Sequence, residues 1–397
     1  MNLLTVTSSP HIACRRSTRG IMLDVVIALL PALAASIWLF GARSALLVGV
    51  CVVSCVAFEW LYEKLMHLPV TVGDLSAVVT GMLLAFNLPS TLPVWMTLVG
   101  SFVSIIVVKQ LFGGIGCNFV NPALAGRVVM AVSFASAMTD YAYPATAVDV
   151  LSSATPLHLI EQGGGDGLSA LTLFLGNYGG VLGETSCAAL LLGFIWLVVR
   201  GVIKPVIPVT YIGSTLLFSW MFGCVHPLYS ILSGGLFLGA IFMATDYTTV
   251  PYSDAGKLVY GLGLGLLTSV IRIYANSTEG VSYAILLMNL VVPYINGGFR
   301  RRPLGAPGPE KGKKIALAAA AAILAGLLIF GAVHRIQVGP NIPDTSSSAT
   351  SDATSSATSE SGASSDATSS ATSESGASSD ASSSATSQTN AGADTAA

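Results

Sequence analysis

Ile21-Met22-Leu23-Asp24-Val25-Val26-Ile27-Ala28-Leu29-Leu30-Pro31-Ala32 opens an apolar run, residues 21–40, whose only charge is Asp24. A helix of about 20 apolar residues crosses the hydrocarbon core of a bilayer. The segment before it, residues 1–20, is polar and ends in Arg15, Arg16 and Arg19. That order also suits a secretory leader, and Ala32-Leu33-Ala34 is similar to a cleavage site. Further apolar runs of similar length follow at once, so a first membrane span is expected instead.

Working outward, nine more such runs complete a set of ten: 21–40, 44–62, 72–88, 92–111, 122–138, 186–203, 207–223, 228–245, 256–273 and 280–296. The third and fifth are short enough to be tilted or broken. An eleventh candidate, 315–334, is rich in Ala and Leu and stands apart. The whole chain of 397 residues is 53% hydrophobic and 10% charged, with mean hydropathy +0.73. These values exclude an ordinary soluble domain. A net charge of −2 points neither to nucleic acid nor to an acidic surface. The expected class is an all-α polytopic membrane protein contacting lipid.

Basic residues set the expected orientation. With residues 1–20 in the cytoplasm, fourteen of the 18 Lys and Arg fall on that side, among them Lys64, Lys109, Arg200, Lys204, Lys257 and Arg300 to Arg302. Only Arg43, Arg272 and Arg335 fall outside, and Arg127 lies within the fifth span. The halves echo each other faintly: Leu92-Pro93 precedes a span ending at Lys109, and Val250-Pro251 one ending at Arg272. Five spans per half would make this an inverted repeat, with binding sites near the repeat interface.

Four features carry candidate chemistry. The connection 139–185 holds 47 residues rich in Gly, Ser and Thr, with five acidic residues and no Lys or Arg. A connection of that length is uncommon unless it works. Within it, Asp149-Val150-Leu151-Ser152-Ser153-Ala154-Thr155-Pro156 reads locally as a hydroxyl-rich turn before a helix-starting proline. Second, Gly113-Gly114-Ile115-Gly116-Cys117-Asn118-Phe119-Val120-Asn121-Pro122 is either a glycine turn capped by Asn121 or a cavity-lining segment. Third, Arg127 lies about five residues inside a span, where a cation needs a partner or water. Fourth, Met243-Ala244-Thr245-Asp246 closes the eighth span, and Asp246 is either a helix-end charge or part of an ion entrance. Cys51 and Cys55, one helical turn apart in an apolar run, read as small core residues rather than metal ligands.

The wording of these stretches resembles the RnfD family, the D subunits of Rnf complexes, and the related B subunit of the sodium-pumping NADH:quinone reductase. The resemblance covers residues 9 to about 304, and includes Ser9-Pro10-His11, the glycine loop, Phe242-Met243-Ala244-Thr245-Asp246 and the last two spans. It implies that Asp-x-x-Ser-x-Ala-Thr is a flavinylation signal. Thr155 would carry FMN through a phosphoester, and Asp149, Ser152 and Ala154 would be read by a flavin transferase. Ser153 stands where the family often has Gly. The resemblance also implies a non-covalent riboflavin near the cytoplasmic side, with Asn118 and Asn121 as candidate contacts, and Asp246 as a candidate on the ion pathway. A phosphoester suits a connection with no Lys or Arg, because it removes one negative charge that would otherwise need a cation.

The same resemblance implies the activity of the assembly. Rnf complexes pass electrons between ferredoxin and NAD and couple this to Na⁺ or H⁺ movement, so the A, B, C, E and G subunits are the expected partners. The chain has no dinucleotide fingerprint and no iron–sulfur spacing, which suits an intermediate carrier. Moving one charge against about 150 mV costs roughly 3.5 kcal/mol, and a two-electron couple supplies that from a drop of about 75 mV. Two other classes fit the span count: a passive solute channel and a non-redox assembly scaffold.

Beyond the tenth span comes a basic linker, 297–314, containing Lys311, Lys313 and Lys314, then the extra helix 315–334. The remainder, 335–397, is a Ser/Ala/Thr-rich tail with a repeat, 351–364 recurring at 365–378. It has almost no large apolar residue and is expected to be disordered and extracellular.

Overall fold

In the computed structural model the described residues are 16–141, 169–224, 226–275, 279–299 and 333. The chain divides into residues 1–343 and 344–397, and the second unit lies wholly outside the described residues. So do Ser9 to His11, the stretch Asp149 to Thr155, and the expected helix 315–334 apart from Val333.

The first apolar run forms α1 (Thr18–Phe40), capped by the Ser17 hydroxyl, which accepts from the Gly20 amide at 3.1 Å. Its Pro31 is accommodated inside the helix. The chain reverses at Gly41 and enters α2 (Ala42–Leu65) directly. After a 3₁₀ turn at Val72–Asp74, α3 (Ser76–Phe86) runs only 11 residues, and irregular backbone from 87 to 93 completes the passage. Next come α4 (Val94–Phe102), which continues as a π-helical stretch, Val103–Gln110, then α5 (Pro122–Ser133) and α6 (Ala135–Met138). The short third and fifth spans expected from the sequence are therefore short helices.

Past residue 168 the order is α7 (Ala170–Leu175), α8 (Cys187–Val199), α9 (Val206–Met221), α10 (Pro227–Leu232) and α11 (Leu236–Leu238). A π-helical stretch, Gly239–Met243, extends α11. Two long helices finish the bundle, α12 (Asp254–Tyr274) and α13 (Gly280–Gly298). Among the described residues every regular element is helical, as expected of an all-α polytopic membrane protein. Among the described residues four helices, α1, α2, α12 and α13, are long and apolar enough to cross a membrane.

Two departures from the sequence-based expectation matter for the site. The expected single span 228–245 is interrupted at Ser233-Gly234-Gly235, where Gly234 and Gly235 take φ of +71° and +70°. That left-handed backbone ends one helix and starts another. The described end of the connection 139–185 also does not stay at the surface. Residues 178–183 are buried, and the Leu182 and Gly183 amides donate to the carbonyls of Leu88 and Phe86 at 3.1 and 2.9 Å. Irregular backbone is thus paired with the open end of α3, which satisfies groups that lipid could not.

Packing between α9 and α12 depends on small residues. A Cβ added at Gly261 or Gly265 would lie 2.0 Å from Thr210 Oγ1 or Ser214 Oγ respectively. Ser214 Oγ donates to the Gly261 carbonyl at 3.0 Å, and Tyr211 and Thr268 hydroxyls meet at 2.7 Å. Small residues and interhelical hydrogen bonds replace the hydrophobic effect where the surroundings are as apolar as the side chains.

Candidate functional site: two buried polar clusters

One cluster lies at the end of the bundle where Arg200 pairs with Asp24 at 3.0 Å and Lys204 with Asp254 at 2.9 Å. The glycine loop begins here. Gly113, Gly114 and Gly116 hold φ of +110°, +85° and +89°, which side-chain-bearing residues rarely adopt. The loop delivers Asn118 and Asn121 to neighbouring positions with different tasks. Asn121 Oδ1 accepts from the amides of Ala123 and Leu124 at 3.0 and 3.3 Å, capping α5. Its Nδ2 donates to the Met243 carbonyl at 3.3 Å, where the π-helical stretch ends. Asn118 Nδ2 donates to the Val120 carbonyl at 3.0 Å and to Asp246 Oδ2 at 3.4 Å. Three residues singled out from the sequence, Asn118, Asn121 and Asp246, therefore meet.

They line a cavity of about 340 Å³. Its walls are mostly apolar, from Val25, Val79, Leu83 and Phe242, with the polar groups of Ser76, Lys109, Asn118 and Asp246 among them. This is the constitution of a small-molecule site: apolar walls with a few placed polar groups. Asp246 also accepts from Thr248 Oγ1 at 3.0 Å. Burial pushes its carboxyl above the usual carboxylate range, against the lowering effect of the Thr248 and Asn118 donors.

In the sequence Lys109 stands out only as a basic span end. It is buried, with Nζ 2.6 Å from Glu59 Oε1 and 2.6 Å from Ser76 Oγ. Gln110 Nε2 adds a 2.8 Å bond to the same carboxylate oxygen. Glu59 interrupts an otherwise apolar stretch of α2, and an ionisable residue inside a span is itself a site signal.

The second cluster supplies the partners of Arg127. Its Nε and one terminal nitrogen bind Glu279 bidentately at 2.6 and 2.8 Å. The other terminal nitrogen reaches Glu184 Oε1 and Asn87 Oδ1, both at 2.7 Å. Arg127 on α5 thus ties together the N-terminal end of α13, the buried segment before α8 and the C-terminal end of α3. Near it, Arg272 donates to the Ser230 and Gly234 carbonyls at 2.7 Å each, across the break between α10 and α11. Asn87 is hidden in an apolar run, while Glu184 and Glu279 look in sequence like ordinary span-end charges.

Asp149, Ser152, Ala154 and Thr155 lie outside the described residues. The profile of the NQR2, RnfD, RnfE family matches residues 5–305. The chain belongs to that family. It is 46% identical over 315 residues to the D subunit of the Na⁺-translocating ferredoxin:NAD⁺ oxidoreductase complex of Acetobacterium woodii, covering 78% of this chain and 98% of that one. It is 39% identical over 311 residues to the D subunit of the proton-translocating complex of Clostridium ljungdahlii, covering 74% and 94%. A third relative, the D subunit of the ion-translocating oxidoreductase complex of Alcanivorax borkumensis, is 36% identical over 341 residues, covering 79% and 99%. Both clusters fall within the part matched by the NQR2, RnfD, RnfE family, whereas residues 315–334 and 335–397 lie beyond it.

Proposed function

We propose that the chain is the D subunit of an Rnf-type ion-translocating ferredoxin:NAD oxidoreductase, working with the A, B, C, E and G subunits in a bacterial cell membrane. It carries FMN esterified to Thr155 and couples electron transfer to movement of Na⁺ or H⁺. The observation that carries this reading is the match along 98% of the Acetobacterium woodii chain. The stretch Asp149 to Thr155 supports the flavin, placed by a flavin transferase that reads Asp149, Ser152 and Ala154.

A second, non-covalent flavin, riboflavin, would occupy the cavity that Asn118 and Asp246 line, whose apolar walls and few polar groups support this reading. A flavin supplies electron-transfer chemistry that no side chain of the bundle has. The chain's own share would be placement and insulation: apolar walls would exclude water, and Asn118, Lys109 and Asp246 would offer hydrogen bonds to the flavin. Asp246 stands where a cation from the basic end would enter. Charge bias puts residues 1–20 in the cytoplasm and the 139–185 connection outside.

The test is direct. The chain is co-expressed with a flavin transferase, run on a denaturing gel and viewed for flavin fluorescence. A fluorescent band that Thr155→Ala abolishes is the expected result, and an equally fluorescent Thr155→Ala band refutes the assignment.

A further inference from the structure

On the reading that the cavity beside Lys109 takes a non-covalent flavin, we propose that Lys109 is the positioning residue that fixes how many protons accompany its reduction. Two electrons, from an adjoining reduced centre of the complex, enter with one proton from water at the cavity mouth. The ring then holds one negative charge, which the Lys109 ammonium faces.

The geometry behind this is a wall that presents a cation while its counter-charges sit elsewhere. Lys109 and Ser76 both line the cavity, whereas Glu59 does not. Ser76 Oγ donates to Asp74 Oδ1 at 2.6 Å and accepts from Lys109 at 2.6 Å, so its one hydrogen is committed away from the cavity. Two N–H groups of Lys109 are taken by Glu59 and Ser76, and the third has no partner among the described residues. It is the donor this wall has left to offer. Glu59 is held in place by Gln110, so the pair cannot readily turn round. Asp246, which also lines the cavity, presents an acceptor held by Asn118 and Thr248. A donor and an acceptor in one mostly apolar lining suit a planar ring whose edge alternates carbonyl and N–H.

Other charged and titratable groups surround Lys109, and Arg16 acts on Tyr247. Glu63 and Asp74 act on Glu59, the Cys55 thiol lies near Lys109, and Asp246 and Tyr247 share the cavity. Among the described residues that line the cavity, Lys109 alone is cationic.

The full chain bearing Thr155→Ala, which removes covalent flavin, is purified and given riboflavin. Its midpoint potential is followed against pH by spectroelectrochemistry. The expected result is one proton for two electrons. The Glu59→Gln/Lys109→Met double variant, which leaves no buried charge unpaired, should bind riboflavin and take up two protons. Lys109→Arg should restore one. A double variant that binds riboflavin with an unchanged proton count overturns the role of Lys109 and leaves the cavity reading standing. Riboflavin that does not bind, or that binds equally when Val79→Trp fills the cavity, overturns the cavity reading and the role of Lys109 together.

Discussion

Arg127 shows how a single buried charge is made tolerable. Its guanidinium meets four oxygens at 2.6 to 2.8 Å, from Glu279, Glu184 and Asn87. Side-chain exposure is 6% for Arg127 and 13% for each carboxylate, so water offers little substitute. Removing one partner of a buried pair costs about 3–5 kcal/mol, because the other charge is left uncompensated. Arg127→Met should therefore lower stability by roughly that amount, read from denaturant unfolding in detergent. Adding Glu279→Gln should recover part of the loss. An Arg127→Met chain as stable as the parent would mean that the cluster does not hold the helices together. At Asn121 both alternatives open in the sequence hold, since its side chain caps α5 and also borders the cavity.

Short and broken helices are the elements that create the site. α3 stops at Phe86, and the eighth passage breaks at Gly234 and Gly235, so polar backbone and side chains gather where a continuous helix would leave none. Asn87 Nδ2 lies 3.8 Å from the Met243 sulfur, a weak contact that brings the far ends of α3 and the π-helical stretch together. By contrast, α9 and α12 are uninterrupted and pack through glycine. Gly265→Val should force the helices apart, since even a Cβ would fall 2.0 Å from Ser214 Oγ. The expected outcome is a fall in folded yield by size-exclusion chromatography, while Gly213→Ala, with open space at its Cβ, should behave as the parent. The helix positions are legible in the sequence because hydrophobic runs have the length of a bilayer crossing. The breaks are not, because Gly234 and Gly235 lie in an apolar run whose average hides them. The ion pairs are half legible: Arg127 and Glu59 stand out in their spans, but sequence does not say which acid meets which base.

At the scale of the whole molecule, the two polar clusters occupy different parts of the bundle, one beside Arg200 and Lys204, the other among Asn87, Glu184 and Glu279. On the proposed orientation, which rests on charge asymmetry in the sequence, the first faces the cytoplasm. A cysteine introduced at Gly164 should then react with an impermeant maleimide from outside intact cells. Reaction only after the membrane is opened would reverse the orientation. The most direct test of the central claim is the mass of the peptide containing Thr155, taken from native membranes with the flavin transferase active. This peptide should carry FMN in phosphoester linkage at Thr155. An unmodified Thr155 in that material would contradict it.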